Sequence, residues 1–141
     1  MIRATGLGGL VALLALLVTG CAYPPVRSVS LAGERWEVLE GSSDGMRDRA
    51  DFGGADAMLF AYDDEVDHDG ARWVMDDVAF PLDIAWFDGE GRFIGMTTMA
   101  VCPSQPCPLY QAPADYRWAL EAPVGAFDDL PADARLEVEP D

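Results

Sequence analysis

Apolar positions along this chain alternate with polar ones more often than they recur at helical spacing, and the alternation marks out a series of short strands. From Arg35 to Glu40, Trp36 and Val38 are set against charged neighbours, as in a half-buried strand. Ala57 to Tyr62 and Ala71 to Met75 are strands by content. Between them, Asp63 to Gly70 is acidic and ends in Asp69-Gly70, a hairpin-turn dipeptide. Asp83 to Phe87 is a largely buried strand, and Asp88-Gly89-Glu90-Gly91 turns it into Arg92 to Thr98. Tyr116 to Glu121 places Tyr116, Trp118 and Leu120 on one face against Arg117, Ala119 and Glu121 on the other. Arg135 to Glu139 is a brief terminal strand. Ser42 to Phe52, with Ser43 or Asp44 as N-cap, and Pro123 to Leu130, stopped by Pro131, are the helix candidates. The expected class is mainly β (α+β): one compact domain of six or seven short, mostly antiparallel strands curled barrel-like, with one or two short helices.

The N-terminus follows a different pattern. Arg3 precedes an apolar run of about twelve residues, Leu7 to Val18, short of the roughly twenty that cross a bilayer. The run ends in Val18-Thr19-Gly20-Cys21, which resembles a bacterial lipobox. A retained membrane anchor or a plain secretory signal are the alternatives, but the run is short for the first and lacks the A-x-A-like site of the second. The expected organisation is a lipoprotein signal peptide at 1–20, a lipidated Cys21 and tether at 21–33, and the domain at 34–141. Acyl chains on Cys21 would make a membrane the first partner. The location would be the outer membrane, facing the periplasm, or the outer face of a plasma membrane.

Charge narrows the partners further. Twenty-five acidic residues stand against nine basic ones, all arginine, for a formal net charge of −16. Nucleic acid is excluded, because phosphate binding needs a basic footprint. Export also frames the other two cysteines. Cys102 and Cys107 lie in Cys-Pro-Ser-Gln-Pro-Cys-Pro, where an oxidising compartment favours a disulfide worth about 2 kcal/mol. A redox pair would ordinarily use C-x-x-C spacing.

The ordered set Ala57-Met58-Leu59-Phe60, Trp73-Val74-Met75, Pro81-Leu82-Asp83-Ile84 and Asp88-Gly89-Glu90-Gly91-Arg92 resembles the DUF192 (UPF0127) family. Cys107-Pro108-Leu109-Tyr110 and the strand from Tyr116 to Glu121 fit the same pattern, over about Trp36 to Val138. The resemblance implies a compact β-rich fold, and an envelope setting in many members. The family's function is unknown, so no catalytic residue is implied. Where members commonly carry Lys-Asn, this chain has Asp76-Asp77.

Candidate chemistry is sparse. Glu65, Asp67 and Asp69 at alternate positions, then Gly70 and Asp76, approximate a calcium loop, although an acidic hairpin tip is the simpler reading and no metal is assigned. Asp83, set in an apolar strand, is either a polar anchor or an acid/base group. Trp73, Met75, Asp83 and Tyr110 form the candidate binding pocket, while Trp86 and Phe87 on successive positions cannot face the same side. Arg47 and Arg49 are the close basic pair. Neither a nucleophile motif nor a phosphate loop is present, and no cofactor is expected. Two functions follow: a non-enzymatic envelope module that binds a small ligand, glycan or envelope protein, or a glycan-acting enzyme using Asp83 as acid/base.

Overall fold

The computed structural model describes residues 26–140; the expected signal peptide and the expected lipidation site Cys21 lie outside the described residues. Among the described residues nine strands are found: β1 (Val26–Leu31), β2 (Glu34–Glu40), β3 (Ala57–Val66), β4 (Trp73–Val74), β5 (Leu82–Phe87), β6 (Phe93–Met99), β7 (Leu109–Tyr110), β8 (Tyr116–Pro123) and β9 (Leu136–Glu137). Seven of them form one curled half-barrel sheet in the order β6-β5-β8-β3-β2-β1-β9, and β4 pairs with β7 in a separate ribbon. The expected β5–β6 hairpin is present.

Several expectations are corrected. No helix occurs among the described residues. Ser42 to Phe52 folds instead as successive four-residue turns, with Gly45 accepting no α-helical geometry at φ +51° and Asp48 at +56°. Pro123 to Leu130 is likewise a set of turns, broken by Gly125 at φ +91°. The assigned tether is partly strand: β1 begins at Val26 and pairs along its length with β2 through the two-residue turn Ala32-Gly33. Both turn residues have positive φ. Alanine there carries no turn signal, which is why this hairpin escapes a reading of composition. The acidic run Asp63 to Val66 extends β3 rather than forming a hairpin tip to β4. β3 pairs antiparallel with β8 and parallel with β2, while β4 pairs with β7.

The sheet has two buried faces, and this decides how its strands read. Inside the curl lie Val29, Val38, Leu59, Phe87, Leu120 and Leu136, joined by Phe127, which stacks on Trp36 at 5.8 Å. On the outer face, Leu39, Met58, Ile84, Trp86, Met99 and Ala119 are covered by long connections that contribute Met46, Phe52, Met75, Val78 and Ala112. Every residue of β5 is therefore buried: Trp86 faces the outer core and Phe87 the inner one. The parallel β2–β3 pairing requires the chain to cross over the outer face between residues 41 and 56, and that crossover carries the cover.

The two ends of the sheet meet at a short seam. Leu136 N donates to Gly91 O (2.8 Å), Phe93 N donates to Ala134 O (3.0 Å), and Arg92 bridges Arg135. Gly91 has φ +76°, and a Cβ there would stand 2.2 Å from the Leu136 carbonyl oxygen, so only glycine lets the two backbones approach. Asp88 organises the adjoining turn by accepting from the amides of Glu90 and Arg92 and from Arg92 Nε, each at 2.9 Å. Burial alone would raise its carboxyl, but these bonds hold it below the ordinary value.

Candidate functional site

Glu121 stands in the middle of the sheet. On β8 it lies between Met58 of β3 and Ile84 of β5, so its carboxyl projects onto the apolar outer face. It is 6% exposed, and its buried Oε2 has no hydrogen-bond partner. Burial pushes its pKa up to about 7.

A cleft of about 540 Å³ opens above it. Phe60 and Tyr62 of β3, Trp73 of β4 and Tyr116 of β8 form its walls. Phe60 and Trp73 meet edge to face at 4.8 Å, Tyr62 and Tyr116 edge to face at 5.9 Å, and Trp73 and Tyr116 lie 6.3 Å apart. Trp73 Nε1 donates to the Tyr116 hydroxyl at 3.2 Å. Burial, and the Tyr116 hydroxyl beside it, push Tyr62 up to about 12; burial also raises Tyr116. The Ser42–Arg47 turn covers one side. Gly45 in that turn sits close over the acid, since a Cβ there would be 3.8 Å from Glu121 Oε2 and 3.6 Å from Phe60.

The rim is charged but internally paired. Arg47 Nη2 donates to Asp76 Oδ2 (3.2 Å), and Gln105 Nε2 donates to Asp76 Oδ1 (2.5 Å). Asp76 thus ties the covering turn to the loop closed by the Cys102–Cys107 disulfide. Arg72 Nη1 donates to the carbonyls of His68, Asp69 and Ala71.

Only part of the expected pocket assembles. Trp73 lines the cleft, Met75 is buried behind it, and Tyr110 pairs with Trp73 across the ribbon while its hydroxyl accepts from Ala100 N (3.0 Å). Asp83 is elsewhere. It faces away from Leu82 and Ile84, is 1% exposed, and accepts from Thr98 Oγ1 (2.6 Å) and Gly125 N (2.8 Å). Both oxygens anchor local structure, so Asp83 acts as a staple between β5, β6 and the 123–130 turns. Asp83→Ala is expected to destabilise the fold by about 2 kcal/mol, measured by urea unfolding, because two hydrogen bonds to the side chain are lost but Thr98 and Gly125 are near enough to water to rehydrate.

The calcium set does not converge either. Glu65 Oε1 accepts from Gly89 N (2.8 Å) and Asp76 belongs to the cleft rim, which leaves Asp67 and Asp69 beside His68. His68 Nδ1 lies 2.6 Å from Asp115 Oδ1, and this bond raises the histidine pKa. Arg49, the other half of the basic pair, is not among the cleft residues.

Glu121, Tyr62 and Tyr116 were not singled out by sequence. A signal existed for Glu121, which interrupts the apolar run Ala119-Leu120-Glu121-Ala122 much as Asp83 interrupts its strand.

Residues 31–138 match the model of DUF192, described as an uncharacterized ACR. The chain belongs to the DUF192 family. No curated protein matches it. Two solved structures share the fold of this DUF192 domain. One is a "putative transcription regulator" from Sinorhizobium meliloti 1021, at 17% identity and a TM-score of 0.67, with 84% of this chain and 97% of the other covered. The second is a protein of unknown function from Novosphingobium aromaticivorans DSM 12444, at 20% identity and a TM-score of 0.63, with 86% and 89% covered. At these identities the likeness concerns fold alone. Asp76-Asp77 has a structural account here: Asp76 holds Arg47 and Gln105, and Asp77 adopts φ +56°, a conformation that Asn and Asp tolerate best among non-glycine residues.

Proposed function

We propose that this DUF192 protein is a lipid-anchored, extracytoplasmic module that binds a small ligand in the Glu121 cleft without transforming it. The observation that carries the reading is the unpartnered Glu121 oxygen beneath four aromatic rings. A buried acid with no partner costs stability, whereas a bound ligand that reaches it would supply the missing hydrogen bond. Asp83, the earlier candidate for acid/base chemistry, has its oxygens engaged away from the cleft, which favours binding over a glycan-acting enzyme. The lipobox-like Val18-Thr19-Gly20-Cys21 supports the anchored location.

A thermal-shift screen over sugars, amines and divalent ions tests the binding role. At least one class is expected to raise the melting temperature by linkage, and Trp73→Ala to abolish that rise while leaving the protein folded, since Trp73 is only partly buried. A flat screen would overturn it. Cys21→Ser is expected to release the protein from membranes; retention by the variant would remove the anchor.

A further inference from the structure

We propose that the ligand of the Glu121 cleft is a protonated primary amine on an apolar stem, its ammonium pairing with the Glu121 carboxylate and its carbon chain lying against Phe60, Trp73 and Tyr116. The inference rests on the cleft being a ligand site and names the chemistry it would take.

Three features of the cleft select a cation. Aromatic faces attract a cation through their negative π surface, and four contiguous rings line this space. The carboxyl below them needs a donor, and the nearby cations are committed: Arg47 to Asp76, Arg72 to three backbone carbonyls. Finally, Asp44, Asp76 and Glu121 outnumber Arg47 and Arg72 around the cleft, in a chain of net charge −16, so an anionic ligand is opposed both locally and at long range.

A neutral polyhydroxylated ligand is the main competitor, and the two differ in whether they require the charged carboxylate. The titratable and charged groups around Glu121 are Tyr62 on β3, Tyr116 on β8, Asp44 and Arg47 on the covering turn, Arg72 just before β4, and Asp76 just after it. Both tyrosines are raised and stay neutral, so Glu121 is the group that titrates near neutrality. An ammonium needs the carboxylate, and its binding to the protonated acid must release that proton. A sugar hydroxyl accepts from the protonated acid or donates to the carboxylate, so a neutral ligand does not require the charged form.

Isothermal titration of the full chain in detergent with n-butylammonium chloride, run in buffers of different ionisation enthalpy, reads this directly. Close to one proton is expected to leave per amine bound at about pH 6, with affinity rising about tenfold by about pH 8. Glu121→Gln is expected to weaken binding at least about tenfold at the higher pH and to erase the pH dependence. Binding by glucose and not by butylammonium, whatever its pH dependence, would overturn the amine while leaving the cleft as a ligand site. Butylammonium binding that is unaltered in Glu121→Gln would also overturn it. If neither probe binds, the amine proposal fails, and a flat broader screen would remove the cleft reading with it.

Discussion

Glu121→Gln is expected to stabilise the protein by about 3 kcal/mol at about pH 8 and to leave its stability near that of the parent below pH 4.5. The carboxyl has an ordinary value of 4.5 and is raised to about 7 by burial, so between these limits the folded state holds a proton that the unfolded chain has released. Stability then falls as pH rises through that window and reaches a floor above about 7, where the folded protein must bury a charged carboxylate. Glutamine has the shape of the protonated acid and never ionises, so the variant escapes this loss. Other groups titrate as well. Asp88 and Asp115 are held low by their partners and His68 is raised by Asp115, but these contribute equally to both proteins and cancel in the difference. Urea unfolding at several pH values is the measurement. Parallel stability curves for the two proteins would show that Glu121 is ionised in an environment as good as water. The same substitution is expected to weaken binding of an amine, so stability and binding move in opposite directions, as they do where a site is built at the expense of the fold.

Gly91→Ala is expected to destabilise the protein by about 4 kcal/mol. The left-handed φ of +76° is strained for alanine, yet that is the smaller part of the effect. Its Cβ would lie 2.2 Å from the Leu136 carbonyl oxygen, a backbone atom that no rotamer change can move. The seam must open by more than an ångström, which breaks the Leu136–Gly91 bond and loosens the Phe93–Ala134 bond. Leu136, which fills the inner core, shifts with its strand. A lower melting temperature together with lost hydrogen-exchange protection at the Leu136 and Phe93 amides would bear this out. Unchanged protection would mean that the curl does not depend on this seam.

Much of the strand pattern was legible because it is local. The β5–β6 hairpin follows from two apolar runs joined by Asp88-Gly89-Glu90-Gly91, and Asp88 binds that turn with its own carboxyl. The turns at 42–52 and 123–130 carry capping residues and spacing that resemble a helix start, while glycines at positive φ interrupt each one. The candidate site was harder to see. Strict alternation groups Tyr116 with Trp118 and Leu120, opposite Glu121. In the structure the β3–β8 register slips between Ala61 and Val66, and Tyr116 turns to the outer core with Ala119, on the face that carries Glu121. One irregularity in strand pairing therefore brings the tyrosine and the acid to the same cleft. The expected pocket failed for a related reason: Asp83 follows Leu82 on an alternating strand, so it had to face away from the residues around Trp73 once both sheet faces were buried.

What the sequence by itself determined is the β-rich class, the central hairpin, the acidic charge balance and the proximity of Cys102 to Cys107. Each depends on neighbours along the chain or on composition. The parallel β2–β3 crossover, the closed seam at Gly91 and the meeting of Glu121 with Tyr62, Trp73 and Tyr116 were decided only by tertiary structure. They depend on which distant strands pair and in what register, and a slip of a single residue reverses the face on which every side chain of a strand stands.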